Sequence, residues 1–433
     1  MDSPQARSIK SRTPPPAATL PAKRMKIIHI NNQLQLGGAE TVMRQLARGI
    51  PGSRIAVADG RSFPRGVQPL YPRWLAWLYH TRLHPIVERL APRARCTDAA
   101  FRRLAHSDAD IVHLHNFHGR YASIESLAYV ARRKPLVWTF HALWGVTGGC
   151  DHPRDCPRYR ESCGACPQLG RWPLGPLDDT AAQLAAKLAH LSALPLHIVA
   201  PSRWIAEIVR QSRVGKSWQV HHLPNAVNED FRRALPARSP RENAPVILVV
   251  NRNFQDEQKG FAMIKAALAE CAGDFPPATQ PPARATVLLV GENSDWAANE
   301  LPDWDCEPLG YLAAPAALAA AQARADIFLF ASPAENFPCV VLEAMAAASC
   351  IVATPSGGVV EQIEDGKTGL LATAITAPAL AVALRRALES RTLRHQLGEA
   401  VRARATSEYS EQTFLARHRA LYESVLQNWH PPA

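Results

Sequence analysis

Short apolar runs alternate with helical patterns along this chain. Met25 to Asn32 reads as an apolar strand, Gly37-Gly38-Ala39-Glu40 as a turn, and Thr41, Val42, Leu46 and Ile50 recur at helical spacing. Strand, glycine turn and helix in that order form the first unit of a doubly wound α/β domain. The same grammar returns at Pro245 to Asn251, followed by a polar loop, Gly260 and a helix through Ile264, Ala267 and Leu268. Further buried-type strands fall at Ala109–His115 and Pro135–Phe140 in the first half. In the second half they fall at Ala285–Val290, Ala325–Phe330 and Cys350–Ala353.

Helical patterns between these strands suit right-handed parallel crossovers. The expected fold class is therefore α/β, with two Rossmann-like domains whose parallel sheets face each other across a cleft. The reading places a first domain at 25–223, a second at 224–410, and a closing helix and tail at 411–433 that can pack back on the first. The boundary is set near Leu223-Pro224-Asn225, and the Pro/Ala-rich stretch 276–285 reads as a surface loop. A crevice at the strand C-termini is where ligands of such sheets bind.

A length of 433 residues with 47% hydrophobic and 20% charged residues suits two globular domains. No apolar run reaches the ~18 residues a membrane span needs; Leu136 to Val146 is interrupted by His141. Residues 1–24 differ: Pro14-Pro15-Pro16, five basic residues and one acid make a basic leader without the apolar core of a secretory signal, read as disordered. The net charge of +11 suits nucleic acid, an anionic membrane surface or a phosphorylated substrate, and its sign does not choose among them. Nine cysteines without a secretory signal point to a reducing, cytoplasmic setting.

Arg252 and Lys259 follow the first strand of the second half, where a diphosphate would lie; alone they would read as solvated cations. Glu335-Asn336-Phe337-Pro338 and Glu343 add weight. Asn336 suits a helix N-cap, Pro338 the first turn, and the two acids suit sugar hydroxyls. Acids favoured by the helix dipole are the plainer reading, which explains one better than two. Asp108-Ala109-Asp110 and Asp303-Trp304-Asp305 mimic a metal-binding pair of acids but are read as structural.

Taken together, these residues resemble glycosyltransferase family 4, retaining enzymes of the two-Rossmann (GT-B) kind. The matching parts are Gly37-Gly38-Ala39-Glu40, Arg252…Lys259-Gly260, Glu335-x7-Glu343, Ser356-Gly357-Gly358…Glu361 and Gly366-Lys367-Thr368-Gly369-Leu370-Leu371. The resemblance implies a sugar moved from a GDP- or UDP-sugar without a catalytic metal, the leaving phosphate taking the acceptor proton. It assigns Arg252 and Lys259 to the diphosphate, Glu343 to the ribose, and Glu335 with the Asn336, Phe337 and Pro338 amides to the donor sugar. Gly37 and Gly38 would let the backbone approach donor or acceptor, and His141 would contact the donor sugar. The family often has Asp after this histidine; Ala142 stands there, which leaves an acceptor-side base unassigned.

Cys150, Cys156, Cys163 and Cys166 form Cys-x5-Cys-x6-Cys-x2-Cys inside an insert at 148–170. The set suits a structural zinc, with His152 able to replace one ligand; buried thiols or a redox disulfide stay open. Cys96, Cys271, Cys306, Cys339 and Cys350 read as small core residues. The insert resembles a subgroup from exopolysaccharide pathways that includes colanic-acid fucosyltransferases, which implies a glycan or lipid-linked glycan acceptor and a peripheral inner-membrane contact. The competing readings are a sugar-nucleotide epimerase on the same scaffold and a basic, zinc-containing nucleic-acid binder. The latter lacks a recognition motif near the cysteines.

Overall fold

The computed structural model describes residues 25–34, 37–59, 63–64, 66–90, 92–118, 121–237, 244–272 and 285–432. The basic leader and nearly all of the Pro/Ala-rich loop lie outside the described residues. The first sheet holds β1 (Ile27–Gln33), β2 (Ser53–Asp59), β3 (Val67–Pro69), β4 (Ile111–Leu114), β5 (Leu136–Thr139), β6 (His197–Ala200) and β7 (Gln219–His222). The second holds β8 (Val246–Asn253), β9 (Thr286–Glu292), β10 (Asp305–Gly310), β11 (Ile327–Phe330), β12 (Cys350–Ala353) and β13 (Leu370–Leu371).

Every pairing in both sheets is parallel, in the orders β3-β2-β1-β4-β5-β6-β7 and β10-β9-β8-β11-β12-β13. Parallel strands are covered on both faces, so they read as unbroken apolar runs. In β1, Ile28 and Ile30 join one core, while Ile27 joins another with Val42 and Leu46 of α1 (Gly38–Gly49). In β8, Ile247 and Val249 face one core and Val246 and Leu248 the other. The helix Glu411–Asn428 returns to the first sheet: Phe414, Leu421, Tyr422 and Val425 share the core of Ile27, Val42 and Leu46.

The shared strand order has a functional consequence. The chain reverses its direction of winding between β1 and β4, and again between β8 and β11. Crevices open outside the strand C-termini at such reversals. The two C-terminal edges also meet. Asn336, beyond β11, donates from Nδ2 to the carbonyl of Phe140 at 2.9 Å, and its Oδ1 accepts from the Ser202 hydroxyl at 2.8 Å.

That bond corrects the expected N-cap. The helix begins at Cys339, with Pro338 in the cap position, and the Asn336 side chain is spent on the contact between domains. The core assignment of the scattered cysteines holds in part, since all five belong to or pack against the cores. Cys271 and Cys350 are buried, whereas Cys96, Cys306 and Cys339 are only partly covered. Cys339 sits where the domains touch, its thiol 3.9 Å from the Gly38 carbonyl.

Candidate active site

Glycine lets the two edges approach. A Cβ at Gly38 would stand 3.4 Å from the Cys339 sulfur, and one at Gly37 would stand 2.7 Å from Oε2 of Glu40. Gly357 has φ +52°, and a Cβ there would fall 1.8 Å from the Glu335 carbonyl oxygen. The Ser356-Gly357-Gly358 turn therefore lies flush against the Glu335-Asn336 backbone, and Gly358 N–H donates to the Glu335 carbonyl at 3.1 Å. Lys259 is aimed in the same manner. Gly260 after it has φ +72°, with a would-be Cβ 2.1 Å from the Ala331 carbonyl; only glycine tolerates that conformation and approach together.

These constraints bring the expected cation and acid into contact. Nζ of Lys259 lies 2.9 Å from Oε1 of Glu335, which also accepts from the Ser332 hydroxyl at 3.2 Å. Burial works to raise the Glu335 carboxyl, but the Lys259 charge and hydrogen bond outweigh it and hold the group below its usual range. The same carboxylate raises the Lys259 ammonium. Glu343 lies on the helix Cys339–Ala346, and burial pushes its carboxyl up to about 8. The Cys339 thiol is driven far up by burial and then by the charges of Glu343, Glu40 and Glu335, so all three acids lie within electrostatic reach of it. The Phe337 ring packs against Tyr409, which leaves that residue only its backbone for a ligand.

Arg252, at the end of β8, lines a cavity of about 430 Å³ whose opposite wall carries Glu40, His115, His141, Asp151 and Trp172. Its charge reaches both Lys259 and Glu40. Burial raises the Glu40 carboxyl, opposed by its own backbone amide, Asn31, Gln33 and Arg252. The structure thus gathers Gly37, Gly38, His141, Arg252, Lys259, Glu335 and Glu343 around one interdomain cleft.

His141 is part of a chain rather than an isolated ring. Its Nε2 lies 3.2 Å from Nδ1 of His115, whose Nε2 lies 3.2 Å from Nδ1 of His29, whose Nε2 lies 3.3 Å from the Ser53 hydroxyl. Beside it, His113 bonds the Tyr422 hydroxyl at 2.6 Å and the Thr139 hydroxyl at 2.8 Å. Burial holds His29 and His141 down to about 3, and His113 and His115 well below the ordinary imidazole range. Neutral rings so linked must orient their N–H groups in concert, which couples the tautomer of His141 to its neighbours. Ligand nitrogens of His29, His113 and His115 lie within 4.8 Å of one another. Their ring nitrogens are engaged in these hydrogen bonds, as expected of a buried polar network.

Residues 36–231 match the domain described as Glycosyltransferase Family 4, and residues 244–390 match the one described as Glycosyl transferases group 1. The chain belongs to the family 4 glycosyltransferases. It is 23% identical over 272 residues to a putative colanic acid biosynthesis glycosyl transferase of Escherichia coli (strain K12), covering 60% of this chain and 63% of that protein. It is 31% identical over 142 residues to an N,N'-diacetylbacillosaminyl-diphospho-undecaprenol alpha-1,3-N-acetylgalactosaminyltransferase of Campylobacter jejuni, covering 33% of this chain and 38% of that one. The matches thus span less than two thirds of either relative. Its GT-B fold is shared with the crystal structure of Anabaena HepE in complex with UDP and glucose (TM-score 0.62, 18% identity), over 92% of this chain and 100% of that one. Two transferase domains in succession favour glycosyl transfer over the epimerase and nucleic-acid readings.

In this glycosyltransferase the cysteine insert leads directly into the cleft. Cys150, Cys156, Cys163 and Cys166 line one small cavity of about 20 Å³. Cys163, Gly164 and Ala165 all have positive φ, 53°, 87° and 45°, a tight knuckle between the last two cysteines. The one group of three ligand atoms within 4.8 Å among the described residues is the histidine set, so the sulfurs face a common space at longer range. Beneath them Lys187 is 1% exposed, its ammonium donating to the Trp144 and Thr147 carbonyls at 2.7 and 2.9 Å.

The next two residues of the insert, Asp151 and His152, reach the glycosyltransferase cleft, and neither was singled out as a cleft residue from sequence. Asp151 lines the cavity, its carboxyl pushed up to about 6 by burial against the pull of Lys187 and Lys259. His152, held down to about 4 by burial, senses the charges of Glu335 and Lys259, and its Nδ1 is buried without a protein partner. The Ser356 hydroxyl, beside the Glu335 turn, is likewise buried and unpartnered. Polar atoms left so in a cleft are ready for a ligand. His113 and His115 did leave a sequence signal, two imidazoles at alternate positions of an apolar strand.

Proposed function

We propose that this enzyme transfers a sugar, with retention of anomeric configuration and without a catalytic metal, from a GDP- or UDP-sugar to a glycan or lipid-linked glycan of a surface polysaccharide. The observation that carries the reading is the meeting of Arg252, Lys259 and Glu335 on one side of a cleft whose other wall holds His141. The acceptor hydroxyl attacks the anomeric carbon on the face the diphosphate leaves. The bond from that carbon to the phosphate oxygen breaks as the new glycosidic bond forms, and the hydroxyl proton passes to the departing phosphate. Arg252 and Lys259 stabilise the charge growing on the leaving group, most strongly in a site that excludes water. Glu335 then exchanges its Lys259 contact for sugar hydroxyls, and Glu343 accepts from the ribose.

The aspartates that could suggest a metal site support this reading by their placement. Asp108 pairs with Lys26 and Arg54, and Asp110 accepts from the Lys26 amide, at the opposite edge of the first sheet. Asp305 lies in the edge strand β10. The Anabaena structure in complex with UDP and glucose supports a UDP-sugar as one of the two donors to test. Thermal shift with GDP, UDP and their sugars, repeated on Glu343→Ala, tests donor binding. Product analysis with and without acceptor tests transfer, because an epimerase alters the sugar nucleotide alone. Failure of every nucleotide to shift the wild-type protein would overturn the reading.

A structural zinc in the insert is part of the same proposal: the four cysteines line one small cavity, and their sulfurs would draw together to hold the metal. Four thiolates around the metal would carry a net negative charge; burial lowers Lys187 to about 7, and charge on Cys150 and Cys163 works to raise it, so thiolates there would favour its ammonium form as the compensating cation. The metal's part would be to hold the loop that presents Asp151 and His152 to the cleft.

A further inference from the structure

Among the described residues twelve large apolar side chains are well exposed, and five fall within residues 74–90. They are Trp74 at 64%, Trp77 at 63%, Leu83 at 52%, Ile86 at 58% and Leu90 at 80%. They lie on α2 (Arg73–Leu78), α3 (His84–Leu90) and the connection between them. Both helices already bury an inner face, since Leu75, Ala76, Tyr79 and Val87 belong to the core of the first domain. The exposed residues are a second, outward apolar face on the same elements. Together they expose on the order of 500 Å² of mostly apolar surface, comparable with the largest patch of a typical monomer.

The charges around this face have one sign. Arg73, Arg82, Arg89 and Arg95 are exposed, and the one acid in residues 73–95, Glu88, is paired with Arg93 at 3.5 Å. Position adds a third observation. In a parallel sheet the end of β3 lies at the same edge as the ends of β4 and β5, which carry His115 and His141, and α2 starts four residues beyond β3. The apolar face therefore begins at the sheet edge that carries the cleft. Trp172, 56% exposed, lines the cavity on the same domain.

We propose that α2 and α3 seat the enzyme on an anionic bilayer surface, which brings a lipid-linked acceptor to the cleft; the inference rests on the acceptor class proposed above. Trp74, Trp77, Leu83, Ile86 and Leu90 enter the boundary between headgroups and acyl chains, where tryptophan is favoured. The arginines pair with lipid phosphates. No described helix is long and apolar enough to cross a membrane, so the contact is interfacial. A second copy of the chain fits the face less well, because a two-fold interface would bring arginine clusters of like charge together.

Flotation of the full-length chain with phosphatidylcholine vesicles, with and without phosphatidylglycerol, tests the surface. At about 0.1 M salt the wild type should float with the anionic vesicles and largely detach at high salt. Trp74→Ser with Trp77→Ser should lower partitioning at least about tenfold. Each of Arg73→Gln, Arg82→Gln and Arg89→Gln should lower it about fivefold on anionic vesicles only. The basic leader is present in every variant, so differences report the face. Wild type that does not float, a double-tryptophan variant that floats like wild type, or a solution dimer that dissociates in that variant would each overturn the proposal. Nucleotide-induced thermal shift, measured on the same proteins, separates the two readings. Lost flotation with intact nucleotide binding removes only the docking surface, whereas absent nucleotide binding in wild type removes the transfer reading.

Discussion

The Lys259 ammonium stands 2.9 Å from the Glu335 carboxylate, two residues 76 positions apart on separate loops of the second domain. Gly260 sets the first loop against the Ala331 carbonyl, and Gly357 sets its neighbour against the Glu335 carbonyl. The contact keeps a cation and a carboxylate together in the cleft; in the proposed reaction a diphosphate competes for Lys259 and a sugar hydroxyl for Glu335. On that proposal, charge is arranged before substrate arrives, which would lower the reorganisation cost during reaction.

Lys259→Ala should leave the fold intact and reduce turnover by about a hundredfold or more, the scale for losing one donor to developing charge. Steady-state transfer assays and melting curves on the same preparation check this. Near-wild-type turnover in the variant would remove Lys259 from the leaving-group site.

Glu343 gives a pH signature. Its folded carboxyl, pushed up to about 8 from 4.5, keeps a proton that the unfolded chain has released between those values. Stability is therefore lost as pH rises through that window. Glu343→Gln, with no proton to lose, should gain on wild type between pH 5 and pH 8 by on the order of a few kcal/mol. Urea midpoints at the two pH values decide; a constant difference would place the carboxyl elsewhere on the scale.

The buried histidines act in the opposite sense. His29, His113, His115 and His418 are at most 1% exposed and neutral when folded, with His29 at about 3 and His418 at about 4 against 6.5 when unfolded. Stability from this source is complete above pH 6.5 and lost as pH falls below it, at on the order of 5 kcal/mol per pH unit near pH 5.5. His418 has an Nε2 that is buried without a partner. His418→Leu should match wild type at pH 7.5 and flatten the acid slope by about 1.4 kcal/mol per pH unit. An unchanged slope would show that this ring does not take up a proton on unfolding.

Zinc in the insert is open to direct measurement. Elemental analysis of purified protein should find about one zinc per chain, and Cys163→Ser should lose it together with on the order of 2 kcal/mol or more of stability. Wild type that is metal-free and melts unchanged with a chelator would leave the four thiols as packing residues.

Much of the site was legible as local pattern. Arg252 closes β8, Lys259, Glu335 and His141 follow strand ends, and Glu343 lies on the helix after β11; position at the end of a parallel strand is itself a spatial coordinate, because all such ends share one sheet edge. The role of Asn336 was misread because capping is a local preference, which the contact to Phe140 and Ser202 overrode. Asp151 and His152 were hidden between cysteines that drew attention to a metal instead.

From sequence alone came the two nucleating units, the strands near the centre of each sheet and the residue types proposed to meet a diphosphate sugar. These are written in hydrophobic period and short motifs, which depend on neighbours a few positions away. Tertiary structure alone decided that Leu75 is covered while Trp74 and Trp77 are not, and that His29, His115, His141 and Ser53 stand in one hydrogen-bonded group with His113 stacked beside it. Periodicity tells which side of an element is apolar. What covers that side depends on segments hundreds of residues away, and only packing selects them.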